Sequence, residues 1–213
     1  MYGLADFGAA SRHVLESYLR PLLNAVPTSL AAAAGRPAAV LVGLHWHDDS
    51  WHVIMTQRAE HLANHAGQIS FPGGKVDADD RNLVATALRE AEEEIALSPD
   101  RVEIIGALDA VTSPVGFVVQ PIVAIIDTNA GSRDGSNDGD VAFVPAPGEV
   151  EQILIFPLAH VLDTAHHRTD SYQRDGQTRS FWIIDHPDHY LWGMSARILV
   201  DLSERLARDG STG

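Results

Sequence analysis

Residues 71–97 read FPGGKVDADDRNLVATALREAEEEIAL, and this stretch decides the fold. It opens on Phe71-Pro72-Gly73-Gly74, where two adjacent glycines let the backbone approach a ligand or a cation closely. From about Asn82 to Leu97 the apolar side chains of Val84, Ala87, Leu88, Ala91 and Ile95 recur at helical spacing, and Pro99 and Asp100 fit the end of that helix. With about 100° of turn per residue, Glu93 lies roughly 60° to one side of Glu90 and Glu94 roughly 40° to the other. Three carboxylates therefore share one face, beside the apolar stripe and at the edge of a core. A glutamate run by itself is ordinarily a solvated face; the Gly-Gly turn just upstream is what sets this one apart. Like charges so close repel and would take up protons without a partner, whereas divalent cations that prefer oxygen ligands relieve the repulsion. Arg89, four residues before Glu93, is placed to hold one carboxylate in orientation. Cations bound here would polarise phosphoryl oxygens and lower the pKa of an attacking water.

Outward from this segment, the chain alternates strand-like and helix-like patterns. Residues Ser11 to Val26 place Val14, Leu15, Tyr18, Leu19, Leu22 and Leu23 at helical spacing. Ala38 to Trp46 and Trp51 to Met55 read as strands joined by a turn at His47-Asp48-Asp49-Ser50, and Gly67 to Lys75 as a glycine-rich loop. Val102 to Ala107, Phe117 to Ile126 and Glu149 to Phe156 continue the strands, and Leu158 to Leu162 forms a short helical turn. Asp127 to Asp140, almost without apolar residues, reads as a surface loop. Asp175-Gly176 predicts a hairpin between Ser171-Tyr172 and Phe181 to Ile184, and a last helix runs from about Trp192 to Leu206. Strands interleaved with a few helices predict an α/β fold, a mixed sheet flanked by helices. The expected organisation is a helical extension over residues 1–36 packed on the core, one domain over 37–208, and a flexible tail at 209–213.

Charge and composition narrow the function classes. Twenty-nine acidic against fifteen basic residues give a formal net charge of −14. Such a field repels polyanions, so no extended nucleic-acid partner is expected. A small phosphorylated substrate stays within reach, because cations held by carboxylates reverse the local sign. No cysteine is present, which removes disulfides, thiolate metal sites and thiol catalysis. The N-terminus lacks a basic region followed by an apolar run. The most apolar stretch, Ala38 to Leu44, is far shorter than the roughly 20 residues of a membrane span. A cytoplasmic protein with no membrane partner is the expectation.

Residues Gly74 to Leu97 resemble the box of the Nudix hydrolases, G-x5-E-x7-R-E-U-x-E-E-x-G-U with U aliphatic. Arg89, Glu90, Glu93 and Glu94 fall on its R-E and E-E positions. The resemblance implies a Nudix-type α/β/α sandwich and a pyrophosphohydrolase. It makes Glu90, Glu93 and Glu94 ligands of Mg²⁺ or Mn²⁺, assisted by the Gly74 carbonyl, with one acidic residue acting as or orienting the base for water. Two departures stand out. Gly74 to Arg89 is one residue longer than the pattern, so the first Glu position falls on Asp80 or Arg81; and Ala96 replaces the Gly that eases a left-handed helix end.

Upstream, Ile54-Met55-Thr56-Gln57-Arg58-Ala59 followed by His65-Ala66-Gly67-Gln68-Ile69-Ser70-Phe71-Pro72-Gly73-Gly74 is similar to the signature of the coenzyme A pyrophosphatase subgroup. Tyr190 to Arg197 extends that likeness. It implies cleavage of coenzyme A, or of its acyl forms, to 4′-phosphopantetheine and adenosine 3′,5′-bisphosphate, with substrate-contact candidates Arg58, His65, Gln68, Ser70, Phe71 and Gly73. Where the subgroup carries Arg, this chain has Ala63, and Gln152 stands where related proteins often carry an acid. These two positions motivate the alternative of another nucleoside diphosphate derivative, such as ADP-ribose or a dinucleotide. A third reading is a Nudix module that binds nucleotide without turnover. A homodimer is compatible with the resemblance. Of the eleven histidines, His61 and His65 have i,i+4 spacing but no third ligand on a recognisable element, so no zinc site is expected.

Overall fold

A computed structural model describes residues 10–27, 35–62, 66–127 and 143–209. Helix α1 spans Arg12–Leu19, followed by a 3-10 turn at Arg20–Leu22. Strands β1 (Arg36–His47), β2 (Ser50–Arg58), β3 (Ile69–Ser70) and β4 (Gly73–Lys75) precede helix α2 (Leu83–Ile95). Next come β5 (Val102–Ala107), β6 (Val111–Thr112), β7 (Phe117–Ile126), β8 (Val150–Pro157) and the short helix α3 (Leu158–Leu162). Strands β9 (His167–Arg174), β10 (Gln177–Asp185) and β11 (Tyr190–Trp192) lead into α4 (Met194–Asp209).

The main sheet has the order β3-β2-β1-β7-β5, with β4 added to β1, β6 to β7 and β8 to β2. It is mixed: β1 runs parallel to β7 and antiparallel to β2. Both central strands are apolar along most of their length, as strands covered on two faces must be. One face carries Val42, Leu44, Trp51, Val53, Met55 and Phe156, packed against Leu15 and Leu19 of α1, α3, and Ile198, Leu199 and Leu202 of α4. The other carries Ala39, Leu41, Ile54, Ile122 and Ala124, packed against Leu83, Ala87, Ala91 and Ile95 of α2. This is the expected α/β/α sandwich, and among the described residues α2 is the helix that covers the second face beside the glycine turn. A separate three-stranded sheet, β11-β10-β9, contains the predicted hairpin at Asp175-Gly176.

Two-residue turns follow the rule for hairpins, in which both central residues take positive φ. Asp48 and Asp49 have φ of 47° and 57°, and Asp175 and Gly176 have 52° and 73°. Pro121 lies in a central strand, where its missing N–H would normally break a ladder. Here β7 changes partner from β6 to β5 at that point, and the Gln120 side chain donates to the Leu108 carbonyl at 2.6 Å.

The first helix is shorter than the expected Ser11 to Val26. Pro21 shifts the chain into a 3-10 turn, and Leu23 is extended, so Asn24 can bridge to Ala107 of β5. Strands β3, β4, β6 and β11 are two or three residues long and leave no periodic signal. Most of the acidic stretch at 127–140 lies outside the described residues, as does the tail from 210 onward.

Helix α2 starts at Asn82, whose side chain accepts from the Ala85 amide at 2.9 Å. It ends at Ala96, held at φ 55° while its amide reaches Glu92 and the Leu97 amide reaches Ala91. The chain thus makes the left-handed cap without the glycine that suits it, at a conformational cost of ~1 kcal/mol. Ala96→Gly is expected to raise stability by roughly 0.5–1 kcal/mol, a gain of a few degrees in Tm. Thermal unfolding measures it; an unchanged or lower Tm would mean that the cap is not strained.

Candidate active site

Strand β4 sets the site. It pairs with the start of β1, Val40 opposite Gly73 and Ala39 opposite Gly74, and α2 then folds back across it. A Cβ on Gly73 would collide with the backbone at Ala39 and Val40, and one on Gly74 with the carboxylate of Glu90. Gly73 is therefore required, because β4 and β1 approach more closely there than any side chain permits, whereas a Cβ on Gly74 would displace the mobile carboxylate end of Glu90.

Glu94 lies deepest, 8% exposed, with the Gly73 amide 3.4 Å from its Oε2. Burial, reinforced by the charge of Glu90, pushes its carboxyl up to about 7, against the opposing pull of the Gly73 amide and Arg58. Glu149, just before β8, adds to the negative field on Glu94. Burial also raises Glu90, while Arg89 opposes that shift and Glu93 and Asp80 add to it. These carboxylates are charged groups held out of water and close together, which is costly unless a cation joins them.

Arg89 ties the remaining acids together. Its Nη1 donates to Glu90 Oε1 at 3.0 Å and to Glu93 Oε2 at 3.2 Å. Its Nε and Nη2 donate to the two oxygens of Asp80 at 3.1 Å each, and Nη2 also reaches the Lys75 carbonyl at 3.0 Å. Asp80 is itself buried. Burial alone would raise its pKa, yet hydrogen bonds from Arg89, the Asp77 amide and the Thr86 hydroxyl together hold it below the usual carboxylate range. Of the two positions open for the first acid of the box, Asp80 engages Arg89, whereas Arg81 is exposed. Asp80 is thus a positioning residue that the longer spacing obscured: it fixes Arg89, which fixes Glu90 and Glu93.

The structure brings some of the predicted site residues together and not others. Glu90, Glu93, Glu94, Arg89, Gly73 and Gly74 are brought together. Arg58, at the end of β2, acts on Glu94 from across the sheet edge; Gln68 lies opposite it, its carbonyl accepting from the Arg58 amide at 3.0 Å, and Ser70 is half-buried in β3. Phe71 is 2% exposed and packs into the core beside α4, so its side chain anchors the turn. His65 and Ala63 lie outside the described residues. Gln152 lies away from the carboxylates: it pairs with Gln57, its Nε2 donating to Gln57 Oε1 at 2.5 Å, on the strand face that carries Trp51, Val53 and Met55. In the stretch Glu149 to Gln152, Glu149 is the residue that bears on Glu94, and nothing in strand periodicity marked it. The same side of β2 opens on a cleft of about 290 Å³ bordered by Gln57, Gly67, Gln68 and Tyr190.

Among the described residues, no three acidic or histidine side chains enclose a single point as a finished metal cage. The donor set nevertheless fits a hard divalent cation. Oxygen ligands on one helix, two of them pushed toward protonation by burial and mutual repulsion, stand against a backbone with no Cβ in the way.

Residues 35–175 match the family model of the NUDIX domain. A protein of Salmonella paratyphi B described as an uncharacterized Nudix hydrolase NudL is 43% identical over 152 residues, 71% of this chain and 73% of that protein. Among solved structures, the NUDIX domain of Shewanella oneidensis NrtR, complexed with ADP ribose, is 23% identical with a TM-score of 0.45. It covers 72% of this chain and 87% of that one. A C. elegans Ap4A hydrolase is 18% identical with a TM-score of 0.44, over 58% of this chain and 80% of that one. The family pattern spans well over half of the sequence, and its acidic positions are the ones the glycine turn gathers: this chain belongs to the Nudix family of hydrolases.

Proposed function

We propose that the protein hydrolyses the diphosphate of coenzyme A or of its acyl derivatives, with Mg²⁺ or Mn²⁺, to 4′-phosphopantetheine or its acyl form and adenosine 3′,5′-bisphosphate. The observation that carries the reading is the closure of the Gly73-Gly74 backbone on Glu90 and Glu94. That turn ends the HAGQISFPGG segment, whose likeness to the coenzyme A pyrophosphatase subgroup supplies the substrate.

In this reading Glu90, Glu93 and Glu94 hold the cation, with the Gly74 carbonyl beside them. When bound, it would polarise phosphoryl oxygens and acidify a water. The chain's own groups do the rest. Arg89, clamped by Asp80 and the Lys75 carbonyl, keeps Glu90 and Glu93 from swinging into solvent. Arg58 adds positive charge at the edge of the acidic cluster, where a diphosphate has to enter a protein of net charge −14. In this reading one of these acids, or Glu149 beside them, receives the proton from water.

The second reading keeps the chemistry and changes the substrate to another nucleoside diphosphate derivative. It rests on Ala63 and on Gln152, whose amide is committed to Gln57. Products identified by liquid chromatography and mass spectrometry separate the two. Purified protein with Mg²⁺ or Mn²⁺ is expected to release adenosine 3′,5′-bisphosphate from coenzyme A, and EDTA to stop it. Cleavage of ADP-ribose, NADH or diadenosine polyphosphates alone would discard coenzyme A, and silence across the panel would leave a binding module. Glu93→Gln is expected to slow turnover on the order of 10²–10³-fold, the equivalent of roughly 3–4 kcal/mol of lost transition-state stabilisation, with an unchanged circular dichroism spectrum. A near-normal rate would remove Glu93 from the site.

A further inference from the structure

On the sheet face away from α2, four imidazoles meet where α3, the 3-10 turn Thr164–His166 and the turn between β10 and β11 come together. His160 and His166 lie face to face with ring centroids 3.9 Å apart. His160 meets His186 nearly at right angles at 5.2 Å, and His186 lies 5.1 Å from His189. Phe156 of β8 packs edge-on against both His186 and His189, at 5.2 and 5.4 Å.

Backbone hydrogen bonds fix which nitrogens are in use. His160 Nε2 donates to the Asp185 carbonyl at 2.9 Å, and His166 Nδ1 to the His160 carbonyl at 3.0 Å. His186 differs. Its Nδ1 receives the Asp188 amide at 3.2 Å, and a ring nitrogen that accepts cannot also carry a proton. Among the described residues no set of three donors is arranged here for a cation.

The charged groups facing His186 oppose one another. Asp188, exposed in the same turn, favours a proton on His186; His160, His189 and His166 disfavour it. Asp185 is taken by Arg168 at 2.7 Å, the Asp163 carboxylate accepts from the Ala165 amide at 2.9 Å, and His167 Nε2 donates to the Val161 carbonyl at 2.9 Å. Burial first, then the neighbouring imidazoles, lowers the pKa of His186 below its usual value.

We propose that His186 is a proton-operated latch on the turn joining β10 to β11. Neutral, it accepts the Asp188 amide and packs on Phe156; protonated, it loses that bond, faces His160 and His189 as a like charge, and releases the turn. A depressed imidazole pKa contributes stability that is present above the unfolded value of about 6.5. That contribution is lost as pH falls through the lower folded value. The released segment leads directly into β11 and then to Ser195, whose hydroxyl holds the Ile69 carbonyl at 3.0 Å, two residues before Phe71. The latch therefore governs one support of the strand that leads into the glycine cradle.

The test is nuclear magnetic resonance of the full chain, following the imidazole nitrogens and the protection factor of the Asp188 amide between about pH 8 and pH 5. In the wild type, His186 is expected as the Nε2–H tautomer at high pH, and Asp188 protection falls roughly five- to tenfold as it titrates, the scale of one hydrogen bond. His186→Asn, whose side-chain oxygen takes the place of Nδ1, should hold the amide at every pH. Equal pH dependence in both proteins, or an imidazole that titrates while the amide stays protected, overturns the latch. Should His186→Asn not fold, His189→Phe keeps a ring against Phe156 and removes one neighbouring charge. The His186 titration should then move upward, and an unmoved titration overturns the repulsion that the latch requires.

Discussion

The structure turns on the meeting of two carboxylates, those of Glu90 and Glu94, with the glycine backbone of β4. Glu90 and Glu94 lie against Gly73 and Gly74 because β4 is hydrogen-bonded to β1 and α2 is packed on Ala39, Leu41 and Ile122. Neither side can retreat: the strand is held by its ladder and the helix by its apolar stripe. The repulsion among the acids is thus imposed by the fold, and in the proposed function it is what a cation would relieve. Arg89 relieves part of it, and its own guanidinium is secured by the buried Asp80 carboxylate. The acid on the far side of the arginine thus holds the guanidinium in place against Glu90 and Glu93. Glu94 has no contact with Arg89 among the ion pairs of the site, and it is the carboxylate pushed furthest toward protonation.

The two faces of the sheet divide the remaining work. The face toward α2 carries the acids and Arg58; the opposite face carries the larger core, the Gln57–Gln152 pair and the histidine corner. Strand side chains alternate between faces, but the β2–β8 register shifts between Gln57 and Arg58: Gln57 pairs with Gln152, whereas Arg58 lies opposite Val150 and acts on Glu94. Ser195 and Phe71 link the faces, one through the Ile69 carbonyl and the other by burying its ring beside α4.

Much of this was legible in the sequence because the signals were periodic or local. The stripe Val84, Ala87, Leu88, Ala91 and Ile95 placed α2 to within two residues, and the run at Phe117 to Ile126 matched β7. Asp175-Gly176 fixed its hairpin because only residues tolerant of positive φ fit that turn. What escaped was non-local. Asp80 reads as one acid among several until its contact with Arg89, nine residues away, is seen. Glu149, which from the sequence alone is a solvated strand edge or a further ligand or base, reaches the site by β8 pairing with β2, a contact without a sequence period. Helix α1 stopped early because Pro21 and the bridge from Asn24 to Ala107 outweighed an apolar pattern that continued past them. Phe71 stood beside the candidate ligands in sequence, yet its ring belongs to the core.

Anomalous diffraction from crystals of the protein grown with Mn²⁺ tests whether these acids hold a cation. A peak is expected beside the carboxylates of Glu90 and Glu94 and the Gly74 carbonyl, with Glu93 turned toward it. Ordered carboxylates in the same cradle with Mn²⁺ bound only elsewhere would contradict it.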